Sequence, residues 1–455
     1  MAMTLKQLGE RVRGEIVAPG DGSYDEARAV HNGMSNRRPA AIVRAANAGD
    51  VMATVAYGRE NDLDLAIRGG GHSAPGFGTV DDGVVIDFSR MRTVRVDPVR
   101  MTARADAGVT WGDFYTATYP FGLTTPGGII STTGIAGLTL GGGIGYLSRG
   151  FGLSCDNLLS ADVVTADGRF LIASENENAD LFWAIRGGGG NFGVVTSFEY
   201  RLHPVKDVYW GPMFYEIEET ANILRFYREY IKNAPEQMGG FPAFQIAPPL
   251  PFIPENRHGD MFVAIVACWA GPLDQGPAQF KPFHDVAEVK AEMVGPIPFP
   301  AINMAFDGLF PKGIRQYWKG NYVRALTDEA IAVHVANGPK APTVSSTMHL
   351  YPIDGACHRM ASDATAFGHR EDNFSMVIVS AWDDPGADEA NMKWVRDYSA
   401  AIAPHSQEGG YVNFLDGDDQ NRVAANYGAN YQRLVELKRK YDPDNVFHVN
   451  QNILP

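Results

Sequence analysis

Three glycine clusters in the first half of the chain limit its fold more than any other feature. The first is Leu65-Ala-Ile-Arg-Gly-Gly-Gly-His-Ser-Ala-Pro-Gly-Phe-Gly78. A short apolar run leads through Arg68 into Gly69, Gly70 and Gly71, and then into His72 and Ser73. Successive glycines let a backbone visit positive φ and approach a ligand closely. Their N–H groups can converge on an anion such as a pyrophosphate. His72 stands at the lip of such a loop with a nucleophilic imidazole; a plain glycine turn with an incidental histidine is the alternative. The other clusters, Gly134 to Gly145 and Gly187 to Gly193, shift the balance. One turn does not need three such loops, whereas a long dinucleotide lying across the protein does. Gly188-x-Gly190-x-x-Gly193 matches the Rossmann pattern, but that motif must open a helix. Here Val194 to Leu202 alternates as a β-branched strand, so the Rossmann reading is rejected.

A length of 455 residues predicts two or three domains. The net charge of −14 argues against nucleic acid and anionic lipid as partners. The first residues carry no apolar core run and no stretch approaches the length of a membrane span, so neither a signal peptide nor an anchor is expected. Cys155, Cys268 and Cys357 are too few and too scattered for a disulfide framework. The expectation is a soluble, cytoplasmic protein. There is no Walker A loop, HExxH, GxSxG or CxxC, and no metal site is expected.

Along the first half, strands and short helices alternate closely, with helices predicted at Leu5 to Glu15 and Trp111 to Thr118. From about Tyr209 to Gln407 the chain is rich in aromatic residues and proline. Strand-like runs occur at Met261 to Trp269, Val344 to Tyr351 and Phe374 to Trp382. Helix-like runs occur at Glu219 to Lys232, Pro282 to Val289, Asp328 to Asn337 and Asp388 to Ile402. This pattern predicts an open antiparallel sheet covered on one face, the expected substrate domain. A last helix is predicted from Ala424 to Tyr441, stopped by Pro443.

Arg68-Gly-Gly-Gly-His72, the run from Gly141 to Leu158, Tyr411-Val-Asn-Phe414 and Tyr441-Asp-Pro-Asp-Asn-Val-Phe447 together resemble the FAD-linked oxidases of the berberine bridge enzyme type. The chain also resembles the family's bacterial branch around 6-hydroxy-D-nicotine oxidase. The resemblance implies an α+β fold, with a two-part PCMH-type FAD-binding domain over 1–205 and a substrate domain over 206–410. Residues 411–455 would return to the cofactor. It implies FAD bound covalently through His72, with the pyrophosphate along Arg68, Gly69, Gly70, Gly71, His72 and Ser73, and Gly78 close by. The flavin would lie under Thr133, Gly134, Gly137, Leu138, Gly141 and Gly142. Asp156, Asn157, Gly193 and Val195 would line the groove, with Asn413 and Asn450 from the tail. Turn capping after Gly152 is the competing reading for Asp156 and Asn157. Relatives with a second, cysteinyl link carry it where this chain has Ile130, so a single attachment is expected. Cys155 reads as a buried small apolar residue. Leu138 stands where some relatives place a histidine.

The general base is left open among Tyr411, Tyr317, Lys319, His349 and Tyr351, because the run Phe374 to Trp382 carries no ionisable group. His349 and Tyr351 share one face of a strand by the period of two. The resemblance favours Tyr411 assisted by Asn413. A phenol ionises near pH 10, so Lys319 is the expected neighbouring cation. Thr133 falls where the family's oxidases carry valine and its dehydrogenases leucine. Its β-branched shape predicts an open path for molecular oxygen. The expected activity is oxidation of a small aromatic, alkaloid-like or polyketide-like alcohol or amine, with hydrogen peroxide as product. An oligosaccharide oxidase, a dehydrogenase using another acceptor, a cell-wall-type flavin reductase and a non-catalytic flavoprotein are the alternatives.

Overall fold

Short apolar runs ending in glycine or aspartate turns build two small sheets, and longer aromatic strands build a large one. The computed structural model describes residues 2–371 and 373–455. In the first sheet, β1 (Glu15–Val17), β2 (Ala41–Arg44), β3 (Leu65–Arg68) and β4 (Val84–Asp87) lie in the order β1-β2-β4-β3. β2, β4 and β3 are parallel neighbours and β1 pairs antiparallel. Every residue of β4 is buried, as the middle of a parallel sheet covered on both faces requires. β3 runs straight into the first glycine loop, which therefore sits at the carboxyl end of the parallel strands, where such sheets bind ligands.

The second sheet holds β5 (Val94–Asp97), β6 (Thr102–Asp106), β7 (Leu158–Val164), β8 (Phe170–Ser174) and β9 (Val194–Arg201), in the order β5-β6-β9-β7-β8. All its pairings are antiparallel. β9 begins directly after Gly193, so a strand follows the third glycine cluster and not a Rossmann helix. Gly193 has a φ of +154°, and a Cβ there would press on Val163.

The third sheet comprises β10 (Asp207–Glu216), β11 (Met238–Ile246), β12 (Met261–Trp269), β13 (Ala291–Glu292), β14 (Gly295–Pro298), β15 (Arg315–Val323), β16 (Thr347–Pro352) and β17 (Phe374–Trp382). Its order is β13-β10-β12-β11-β16-β17-β15, with β14 on the outside of β10. Side chains alternate across it. Met348, Leu350, Met376 and Ile378 face the helices 220–233, 328–337 and 388–402. His349, Tyr351, Val377 and Val379 face the other way, into a cavity. The fold is α+β, with helices on one face of the large antiparallel sheet.

Several elements differ from the sequence reading. The first helix stops at Gly9, and Glu15 already belongs to β1. The helix expected over Pro282 to Val289 runs Gly276–Val286, with Pro277 near its start and Pro282 inside it. The helix expected from Ala424 to Tyr441 is two, Val423–Tyr427 and Tyr431–Tyr441, parted at Gly428 with φ +56°. β10, β11 and β15 went unrecognised because Pro212, Pro242, Gly239 and Gly240 punctuate the first two, and polar residues interrupt the third. Residues 411–455 come back to the small sheets. Tyr411 meets Gly143, and the fully buried Lys438 pairs with Asp442 and donates to the carbonyl of Asn191. Among the described residues, no helix is long and apolar enough to cross a membrane.

Candidate active site

The three glycine loops and the tail enclose a groove of about 250 Å3. The first loop contributes Gly69, Gly70, Gly71, His72, Ser73 and Gly78. The second contributes Thr133, Gly134, Gly137 and Leu138. Gly189, Gly190, Gly193 and Val195 come from the third, and Asn413, Asn450 and Gln451 from the tail. Gly71 adopts φ +70°, the left-handed region that glycine enters freely. Gly70 and Gly134 are glycines because the two loops touch: a Cβ on either would collide with the backbone of the other. Two tail atoms, Asn450 Oδ1 and Gln451 Nε2, are buried without a hydrogen-bond partner in residues that line this groove. Such orphans call for a polar ligand, so a groove of backbone amides and unpaired amides fits a polar, extended cofactor.

His72 stands at one end. Its Nε2 lies 2.9 Å from Thr132 Oγ1 and its Nδ1 3.4 Å from Thr133 Oγ1. The ring of His31 lies against it, with centroids 3.8 Å apart. Burial, and secondarily the facing imidazole, hold the His72 pKa well below the usual histidine range. Burial brings His31 down to about 4. Both rings are therefore neutral at physiological pH. Trp318 Nε1 donates to Gln316 Oε1, so the amide nitrogen of Gln316 is the group facing His31 Nδ1 at 2.9 Å. That bond assigns the His31 proton to Nε2.

A second cavity, of about 640 Å3, opens beside the groove and shares His72, Thr133, Leu138 and Asn413 with it. Its walls are largely aromatic, with Trp210, Phe241, Phe306, Phe310, Trp318 and Phe414 among them. Among the described residues, none that lines it is aspartate, glutamate, lysine or arginine. Tyr411 lines it too, and its phenol oxygen accepts N–H bonds from Gly143 (2.8 Å) and from Asn413 Nδ2 (2.7 Å). Burial raises the Tyr411 pKa above the usual phenol value although both hydrogen bonds pull the other way. On β16, His349 Nδ1 and the Tyr351 hydroxyl are 2.7 Å apart.

Six expected site residues stand elsewhere. Arg68 turns into the scaffold, where it pairs with Asp87 and donates to the carbonyl of Ala27. Asp156 forms a buried pair with Arg370 and accepts from the Leu153 N–H at 2.9 Å. Asn157 donates to the carbonyls of Phe151 and Leu153, so capping is the role these two residues fill. Gly141 and Gly142 line neither cavity. A Cβ at Gly141 would strike the Asn413 amide, and one at Gly142 would strike Phe367, so they admit the tail. Lys319 is outside both cavities, bonded to Asp418 at 2.6 Å and Asp419 at 2.9 Å. Tyr317 is tied to Asp418 as well, and among the described residues of the cavity wall no lysine or arginine stands beside Tyr411. Sequence reasoning missed His31, Thr132 and Gln316. The first two carry no motif, and the third lies on an unrecognised strand.

Comparison with known proteins matches residues 39–174 to the FAD binding domain family and residues 410–454 to the family described as berberine and berberine like. The chain is 30% identical to an uncharacterized FAD-linked oxidoreductase of Bacillus subtilis, over 98% of each. It is 32% identical to an FAD-linked oxidoreductase of Dictyostelium discoideum, over 92% of this chain and 89% of the relative. Among solved structures it is similar to 6-hydroxy-D-nicotine oxidase from Arthrobacter nicotinovorans. That match has a TM-score of 0.83 and 27% identity, and covers 97% of this chain and 98% of the other.

Proposed function

The chain belongs to the FAD-linked oxidoreductases of the berberine bridge enzyme type, and on that premise we propose an oxidase that takes a hydride from a ring-bearing alcohol or amine. FAD, held covalently through His72 alone, would supply the hydride acceptor, and molecular oxygen the final oxidant. One observation carries this reading: the groove and the aromatic cavity meet at His72, Thr133, Leu138 and Asn413. A cofactor in the groove and a substrate in the cavity would touch only across that seam.

The residues at the seam have matching roles. The neutral His72 has a threonine hydroxyl at each nitrogen, Thr132 at Nε2 and Thr133 at Nδ1; the attachment would use the tautomer with its proton on Nε2 and a lone pair on Nδ1. Ile130, in the cavity wall, has no thiol to add a second link. Cys155 is fully buried, and burial raises its thiol pKa, which leaves it inert. Tyr411, without a neighbouring cation, stays protonated. Because Gly143 and Asn413 occupy its oxygen as donors, its own O–H is free to hold the substrate's reacting group. Lys319, the cation expected beside Tyr411, is bonded to Asp418 and Asp419 instead, so proton removal at Tyr411 would be concerted with hydride loss.

The test is anaerobic titration of the purified holoprotein with a panel of aromatic alcohols and amines, followed by air. The reading expects the flavin absorbance to bleach with at least one class and to return on aeration with stoichiometric hydrogen peroxide. Recovery only with a quinone or dye acceptor would make the protein a dehydrogenase. Bleaching by NADPH alone would make it a flavin reductase.

A further inference from the structure

We infer that the cavity takes its substrate as an uncharged, ring-rich molecule, and that His349 and Tyr351 on β16 form the polar anchor for one hydroxyl or carbonyl group of it. The inference rests on the oxidase reading only in treating this cavity as the substrate's.

Charge is the first ground. A carboxylate or ammonium entering the cavity would lose its hydration and find, among the described residues of the wall, no aspartate, glutamate, lysine or arginine to replace it. The histidines offer no substitute cation, because burial keeps His31 and His349 neutral, with pKa values of about 4 and about 3. An amine substrate would therefore have to shed its proton before it bound.

Hydrogen-bonding capacity is the second ground. Gln316 is used at both ends by Trp318 and His31, and the Thr347 hydroxyl donates to the carbonyl of Phe244 at 2.7 Å. The Gln245 Nε2 donates to the carbonyls of Ile246 and Val344. His349 Nδ1 is bonded to Tyr351, and no hydrogen bond joins its Nε2 to a described residue; the unpaired His31 Nε2 and Trp210 Nε1 in the same wall can only donate, whereas His349 can donate or accept. The pair also adapts to its ligand. When the Tyr351 O–H donates to Nδ1, the ring carries Nε2–H and suits a carbonyl. When Nδ1–H donates to Tyr351, Nε2 is a free lone pair and suits a hydroxyl. Phe241 covers both rings, at centroid distances of 4.4 Å and 4.7 Å, so a bound group would be shielded from water. Tyr351 is 5.6 Å from Phe414, which is 4.8 Å from Tyr411, so the anchor sits one aromatic ring away from the seam.

The experiment titrates the oxidised holoprotein with naphthalene, 2-naphthol, 2-naphthalenesulfonate and 1-naphthylmethylammonium. Binding is read from the flavin absorbance shift and from the fluorescence of Trp210 and Trp318 in the wall. The inference expects 2-naphthol to bind about tenfold or more tighter than naphthalene, the range of one well-made buried hydrogen bond. Both charged probes should bind more weakly than naphthalene. His349→Phe should abolish the preference for the naphthol, and Tyr351→Phe should reduce it at least about threefold. Should His349→Phe fail to fold, Tyr351→Phe decides alone. A charged probe binding as tightly as the naphthol, or a preference unchanged in the folded variants, would overturn the inference. Because no turnover is needed, the result is separate from the oxidase reading. A naphthol preference without any reducing substrate keeps the anchor and removes the oxidase, and bleaching without the preference does the reverse.

Discussion

At Thr133, a single side chain borders the groove, the cavity and His72 at once. Leucine there would reach further into the seam, whereas threonine has few rotamers and a short reach. Thr133→Leu is therefore expected to slow reoxidation of the reduced protein by oxygen in stopped flow far more than it slows reduction by substrate. Equal slowing of both would remove the oxygen-path role. Tyr411→Phe deletes the hydroxyl that Gly143 and Asn413 hold, and should slow flavin reduction by about ten- to a hundredfold with the cofactor still bound. An unchanged reduction rate would leave Tyr411 as packing alone. The residues placed at the seam share a property that made them legible: they lie within or beside glycine-rich motifs whose backbone sets their position. Arg68, Asp156 and Lys319 misled for the opposite reason. A charged side chain is placed by its counter-charge, and Asp87, Arg370 and Asp418 are distant in sequence, with no local spacing to announce them.

At the scale of the element, β16 and β17 carry two functions on two faces. Register pairs Met348 with Ile378 and His349 with Val377, so neighbouring positions alternate between the helix layer and the cavity. Substitutions one residue apart should separate stability from binding. Ile378→Ala empties a fully buried site under the helices and should cost about 2–5 kcal/mol of unfolding free energy. Val379→Phe projects into the cavity, and should block aromatic ligands while the denaturation midpoint stays nearly constant. Matching losses of stability in both would contradict the two-face assignment. The sequence showed β12 and β17 because long apolar runs mark them, and β16 in outline. It hid β10 and β11 because Pro212, Pro242 and Gly240 read as turns until the neighbouring strands are present. Gly240, for example, has φ +123° and lies where a Cβ would strike the Val266 carbonyl, a constraint that only the paired strand β12 creates.

Across the whole molecule, neutral buried histidines make stability depend on pH. His31 and His334 are 5% and 0% exposed, with pKa values lowered by burial to about 4 and about 3. Between those values and the unfolded value near 6.5, the unfolded chain binds the extra protons, so stability rises with pH and is lost as pH falls. Each should contribute about 2 kcal/mol less at pH 5 than at pH 7.5. Chemical denaturation at the two pH values checks this, and a flat midpoint would mean that these rings are protonated in the fold. The same scale holds the central claim, that three loops and a returning tail converge to fix one flavin at His72. The direct measurement is acid precipitation of the purified protein, with flavin fluorescence of the washed, denatured chain and mass mapping of its peptides. The flavin should stay with the chain on a single peptide containing His72, and His72→Ala should release it on washing. Flavin that leaves the wild-type chain completely, or a flavin adduct at Cys155, would contradict it.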